Sequence, residues 1–362
     1  MVYKRISIDN FRCFSHFDVN SLKKFNLITG KNNIGKSAFL EAIFIMSGTH
    51  AQLMLATDIF RGQDVFNVNL SGAQNLESPL SSFFRNFNVA NDIKFYAEKY
   101  NQENQTIDIS VPPPSTVLMS TAGEAGNISL GGGFSQELCL FKYSDSKKVK
   151  FTSKIVLSNN KGAIGLSVEP TPPPVEFMTI YVTSFQKSTL EDVSRVGSLL
   201  RQGKKKELID TLKVVDSRLQ DLDIIPMGNK PVIHLKLLGI EKLLPLPLAG
   251  LGMARLLRYV TDIMNAPGGV VLIDEIEEGL HWSILNKVWE TIRETCNKYD
   301  VQIFSTTHSF ECVESAYNVF SKVSGDDLNV MRMEADEKNN VRAIQYDKNT
   351  LEAAIKNNLD IR

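Results

Sequence analysis

A chain of 362 residues with 43% hydrophobic and 22% charged residues has an ordinary globular makeup, long enough for two lobes of roughly 150 residues each. That balance excludes a mostly disordered, collagenous or coiled-coil polymer. Lys+Arg 40 against Asp+Glu 41 gives a net charge of −1, so no global positive field points to nucleic acid, and DNA contact would need a local patch.

Cys13, Cys139, Cys296 and Cys312 are scattered without metal-ligand spacing and read as reduced thiols. The first residues are charged and interrupted where a signal peptide would need an apolar core, and no apolar run reaches membrane-spanning length. A soluble cytoplasmic protein with no membrane partner is expected.

Residues 2–8 and 25–29 predict short strands. The second runs into Gly30-Lys31-Asn32-Asn33-Ile34-Gly35-Lys36-Ser37, after which Phe39, Leu40, Ile43, Phe44 and Met46 recur at helical spacing. From about 50 to 175, Pro112-Pro113-Pro114, Gly131-Gly132-Gly133 and the prolines between 170 and 174 punctuate short alternating runs, which predicts antiparallel hairpins and loops. Residues 178–182 read as a buried strand and 188–220 as a charge-rich helical stretch. Within it, Lys204, Lys205 and Lys206 read as a solvated face, with a phosphate-contacting patch as the alternative. The last third alternates strand (232–235), proline-marked loop (244–247), helix from about Met253, then strand, helix and strand, the pattern of a parallel or mixed sheet covered by helices.

Gly30 through Ser37 carry the phosphate-loop spacing between an apolar strand and a helix. The glycines let the backbone N–H groups and the helix N-terminus face a polyphosphate. Lys36 would reach the β- and γ-phosphates, and the Ser37 hydroxyl would hold Mg²⁺. The strand-length run Val270-Val271-Leu272-Ile273 ends in Asp274-Glu275. There Asp274 would sit beside the phosphate loop as a Mg²⁺ ligand, and Glu275 would orient or deprotonate a water. A third apolar strand ends in Ser305-Thr306-Thr307-His308. Asn297-Lys298-Tyr299-Asp300 matches a guanine-reading pattern, but it precedes that strand at the end of a helical segment and reads as a turn.

With these motifs the chain resembles the ABC-type ATPases of the OLD, RecF and SMC group, often labelled AAA family ATPases, over nearly its whole length. It looks like a stand-alone member of that group, an AAA family ATPase of bacterial anti-phage defence modules. The resemblance implies an α/β fold: a P-loop ABC-type ATPase head with a mixed β-sheet core, an antiparallel β subdomain and an inserted helical lobe. It divides the chain into a nucleotide-binding core at 1–50 and 225–362, a β-rich lobe at 51–187 and a helical insertion at 188–224.

The resemblance also implies roles. Gly30, Lys31, Asn32, Asn33, Ile34, Gly35, Lys36, Ser37 and Ala38 would cradle ATP, with Arg12 of the "NFR" turn near the nucleotide. His308 would contact the γ-phosphate, making Lys36, Glu275 and His308 the catalytic set. Ser37, Asp274 and Gln186 would serve Mg²⁺, Gln186 as its sensor. Glu278-Gly279-Leu280-His281 resembles the loop that crosses a dimer interface. Ala249, Gly250 and Gly252 lie in the signature segment, which would reach ATP bound to a second copy. Ala249 replaces the group's serine, removing one hydroxyl contact worth roughly 1.5–3 kcal/mol and predicting slow turnover. The implied partners are a second copy in a homodimer or higher oligomer and a separate effector, a nuclease or toxin, since no nuclease motif is present. The alternative is a RecF-like or SMC-like DNA-binding ATPase of repair or chromosome maintenance.

Overall fold

The computed structural model describes residues 1–49, 51–60, 80–112, 117–118, 134–160, 163–170, 175–183, 190–323, 326–357, 359 and 361. In chain order, the first half gives β1 (Tyr3–Phe11), β2 (Phe14–Val19), β3 (Phe25–Gly30), α1 (Lys36–Met46), α2 (Gln52–Phe60), β4 (Ile93–Lys99), β5 (Asn104–Ser110), β6 (Val117–Leu118), β7 (Phe134–Asp145), β8 (Lys150–Asn160) and β9 (Ala163–Glu169). The middle adds β10 (Thr179–Val182), α3 (Leu190–Arg201), α4 (Lys205–Leu212), β11 (Leu219–Met227), β12 (Lys230–Leu237) and β13 (Leu244–Pro245). Then come α5 (Leu251–Asn265), β14 (Val270–Ile273), α6 (Leu285–Tyr299), β15 (Gln302–Thr306), α7 (Phe310–Phe320), β16 (Leu328–Ala335), β17 (Val341–Tyr346) and α8 (Lys348–Lys356).

Three short, wholly buried strands explain the centre. β3, β14 and β15 are buried at every residue, as expected where helices or a second sheet cover both faces. They lie in a six-stranded sheet of order β10-β14-β15-β3-β16-β17, parallel except for the last pair. Successive side chains point to opposite faces. Val271, Ile273, Ile303 and Leu27 therefore pack with α3 to α7, whereas Val270, Leu272, Phe304 and Ile28 pack with α1.

Helix α1 carries apolar residues on every side and is buried at ten of its eleven positions, the pattern of a helix covered on all sides. One side meets the central sheet. The other meets an antiparallel sheet, β2-β1-β4-β5-β7-β8-β9, with β6 on β7. There β4 and β5 alternate buried with less buried residues, as a sheet with one core-facing side does. Gln302 of β15 stitches the two sheets together: its side chain accepts the N–H groups of Val2 and Tyr3 and donates to the Tyr3 carbonyl. A third sheet, β11-β12-β13, packs with α3 and α4 in the core that holds α5.

Gly131, Gly132, Gly133 and residues 171–174 lie outside the described residues. Asn297, Lys298 and Tyr299 end α6, and Asp300 caps it at φ 52° while pairing with Lys24, so this segment is a helix terminus. Among the described residues, no helix is long and apolar enough to cross a membrane.

Candidate active site

The phosphate loop joins β3 to α1 at the carboxyl edge of the central sheet, where parallel α/β sheets place ligands. Two of its glycines are required by geometry. Gly30 has φ 139°, and a Cβ there would stand 2.6 Å from the Met333 carbonyl oxygen. Gly35 has φ 112°, and a Cβ there would collide with Cys13 Sγ. Asn33 takes a third left-handed conformation at φ 63°. Gly35 caps α1 with no side-chain hydrogen bond, so the first N–H groups of the helix are left for an anion. Lys31, Asn32 and Asn33 are exposed, and Ile34, Lys36 and Ala38 turn progressively into the core.

Lys36 Nζ donates to the carbonyls of Gly30 (2.7 Å) and Lys31 (3.1 Å), so it already spans the loop it would share with phosphate. Burial lowers its pKa below the usual lysine value, against the pull of Glu275, Asp274 and Glu277. The register Ile273↔Ser305 and Thr306↔Ile28 brings the ends of β14, β15 and β3 level. Ser37 Oγ therefore donates to Asp274 Oδ2 at 2.7 Å, Thr306 Oγ1 donates to Asp274 Oδ1 at 2.5 Å, and the Glu275 N–H donates to Thr306 Oγ1 at 2.8 Å. Glu275 is held in the left-handed region at φ 52°, a backbone strain of the kind that collects at functional sites. Burial, and then Asp274 beside it, raise the Glu275 pKa above the ordinary carboxylate value.

Lys36, Ser37, Asp274 and Glu275 are thus brought together. His308, just past β15, joins them: its Nδ1 lies 3.8 Å from Glu275 and 3.2 Å from Glu277 Oε1. Two members of the cluster were not singled out in the sequence. Thr306 could have been suspected as a hydroxyl ending a buried strand, whereas Glu277 carried no signal, because its place depends on the turn after β14.

Arg12 follows a different course. Its Nε contacts Glu41 of α1 at 3.2 Å, its Nη1 donates to the Ser82 carbonyl at 2.9 Å, and its guanidinium lies 4.2 Å from the Phe83 ring centre. Gln186 lies outside the described residues.

Ala249, Gly250 and Gly252 form a second locus. Gly250, at φ 93°, caps α5, again without a side-chain hydrogen bond. Leu251 covers Gly279, and Gly252 faces Ile284 and Leu280. Arg255 donates to Glu278 at 2.8 Å and the Tyr259 hydroxyl to the Ile276 carbonyl at 3.0 Å, fixing the start of α5 beside the turn that leaves β14. The start of α5 therefore reaches the same sheet edge as the phosphate loop, but from the layer opposite α1.

A phosphate loop on one central strand, with an Asp-Glu pair ending another strand of the same parallel set, defines an α/β P-loop ATPase. Two family models agree. Residues 1–163 match one described as an AAA ATPase domain, and residues 142–314 match one described as "AAA domain, putative AbiEii toxin, Type IV TA system". The chain is thus an ATPase and a nucleotide-binding protein, similar over each of these spans to AAA domains. A protein of Helicobacter pylori named ATP/GTP phosphatase is 21% identical, across 85% of this chain and 86% of that protein. Among solved structures, the SMC head domain from Thermotoga maritima is 11% identical and aligns over 96% of this chain and 100% of that one at a TM-score of 0.48. An Smc head domain bound to the C-terminal domain of ScpA derived from Pyrococcus furiosus is 12% identical and aligns over 100% of both chains at 0.45.

Proposed function

We propose that this ATPase is an assembly switch. ATP held by Lys36 and Ser37 of one copy would be closed over by residues 249–252 of a second copy, and the assembled state would control a separate effector, a nuclease or toxin, in bacterial anti-phage defence. One observation carries this reading: two uncapped helix N-termini, those of α1 and α5, lie at one sheet edge but in opposite layers. Each is suited to an anion, and a second copy can bring both to one nucleotide.

The donor set fits Mg²⁺. Ser37 Oγ and Asp274 Oδ2 are hard oxygens 2.7 Å apart, the ligand type this cation takes alongside phosphates. Mg²⁺ bound there would neutralise charge on the β- and γ-phosphates. Lys36 would exchange the Gly30 and Lys31 carbonyls for phosphate oxygens. Glu275, its carboxyl pKa raised by burial, would orient the attacking water and accept its proton. His308 would meet the γ-phosphate. Ala249 offers no hydroxyl to the closing copy, which supports slow hydrolysis.

The match to a model described as "AAA domain, putative AbiEii toxin, Type IV TA system" supports a place in a defence or toxin system, though it names no separate effector. Part of the lysine run is engaged within the chain, which leans toward a protein partner over DNA: Lys205 is paired with Asp221 and Asp223, and Lys204 lies over the Tyr299 ring. The test is Glu275→Gln, examined by light scattering with and without Mg-ATP. Hydrolysis should fall about 10²–10⁴-fold, the usual contribution of a general base, while an ATP-dependent rise in mass persists. A mass indifferent to ATP in both wild type and variant would end the switch reading.

A further inference from the structure

The turn after β14 holds a carboxylate that no motif assigns. Glu277 Oε1 accepts the backbone N–H of His308 at 2.9 Å and lies 3.2 Å from Nδ1 of the same residue. The Glu277 side chain is only 10% exposed, and its Oε2 is buried without a hydrogen-bond partner among the described residues. The turn itself is fixed: the Ile276 N–H donates to the Thr306 carbonyl at 3.0 Å, and the Leu280 N–H to the Glu277 carbonyl at 2.9 Å.

Burying a carboxylate with one oxygen unpartnered costs stability, so a purely structural account of Glu277 is poor. What the arrangement does is join two loops. One oxygen holds both the main chain and the ring of His308, and the longer approach of Glu275 to the same Nδ1, 3.8 Å, competes weakly. The two imidazole nitrogens are distinct, and the partner of one sets where the other points. With Nδ1 turned to Glu277, Nε2 is directed away from the carboxylates.

We infer that Glu277 is a positioning residue. It orients His308 so that Nε2 addresses the γ-phosphate, and it ties that orientation to the turn leading into the 278–281 loop. This rests on the reading of His308 given above. The carboxylate belongs to the same turn as Glu278, which Arg255 of α5 grips, so the ring is mechanically linked to the helix that begins at the signature segment.

The test is a double-mutant cycle on the full chain, measuring Mg-ATP turnover and, separately, nucleotide affinity with a fluorescent ATP analogue. Glu277→Ala should lower kcat about 10- to 100-fold, the scale seen when the carboxylate behind a working imidazole is removed, and leave affinity within about twofold. In a His308→Ala background the same change should cost nothing further, because its effect runs through the ring. Glu277→Gln, which keeps the shape and an acceptor oxygen, should recover part of the loss and serves as the comparison if the alanine variant does not fold. Equal losses from Glu277 substitution with and without His308, or unchanged kcat in Glu277→Gln and Glu277→Ala alike, would overturn the inference. If His308→Ala alone leaves kcat intact, the γ-phosphate role of His308 fails first, and this inference with it.

Discussion

Gly35 and Gly250 occupy equivalent stations: each caps a helix at the carboxyl edge of the central sheet, with φ of 112° and 93°. Their surroundings are opposite. A Cβ on Gly35 would strike Cys13 Sγ and approach the Phe14 ring, whereas one on Gly250 would meet nothing within 4 Å. Around Gly35, a chain of hydrogen bonds from Ser37 through Asp274 and Thr306 to Glu275 is complete. Around Gly250, Leu248, Leu251 and Trp282 are 70%, 58% and 68% exposed. On the proposed switch, the difference teaches that one half of the site is built by folding a single chain, while the other half is shaped and left open.

The largest effect is expected where the built half is broken. Gly35→Ala adds a side chain at a left-handed position, which itself costs about 1–2 kcal/mol, and forces it into Cys13. ATP affinity, measured by titration with a fluorescent analogue, should fall at least about a hundredfold, or about 2.7 kcal/mol. Retained affinity would show that the loop adapts and is not preformed. Gly250→Asp breaks the open half instead by setting a negative charge where the α5 N-terminus would face phosphate. Affinity of the isolated chain should stay within about twofold while the ATP-dependent mass increase disappears and turnover falls about tenfold or more. If binding and assembly failed together, the two halves would be one unit and the comparison would be void.

The smallest effect concerns the support of the open half. Arg258 pairs with Asp192 and Arg195 with Asp262, fastening α3 to α5. Burial outweighs the pull of Arg195 and pushes the Asp262 pKa up to about 6, and its Oδ2 has no partner among the described residues. A carboxyl raised on folding stabilises the fold below its unfolded value near 3.8, and that contribution is lost as pH rises through about 6. Between pH 5 and 7.5 the wild type should therefore lose about 1 kcal/mol that Asp262→Asn does not, read from urea midpoints across that range. Parallel pH profiles for the two proteins would remove Asp262 from the account.

What could be read from the sequence follows from how local each signal is. Gly30, Gly35, Lys36 and Ser37 act within one turn of chain, and Asp274 and Glu275 end an apolar run, so spacing alone identified them. The six-stranded sheet was legible as βα alternation. Its neighbour was only half legible: Ile6 and Ile8 announce a one-sided strand, but besides the adjacent β2 its partner is β4, about ninety residues on, and turn signals do not name a distant partner. Glu277 was invisible because its meaning depends on where the next strand's loop places His308. Arg12 shows the same limit, since nothing near it in sequence specifies Glu41, Ser82 or Phe83.

The position of β3 bears on how the molecule is made. Ile28, two residues before the phosphate loop, pairs with Thr306 on one side and Met331 on the other. The phosphate loop is thus encoded at residues 30–37 but takes its place only once β15 and β16, far along the chain, have paired with β3. Such long-range pairing folds slowly, because chain closure must precede the contacts that reward it. A chain lacking residues 302–333 would carry the phosphate-loop sequence without the two strands that flank β3, so nucleotide binding doubles as a report that segments about 270–300 residues apart have paired.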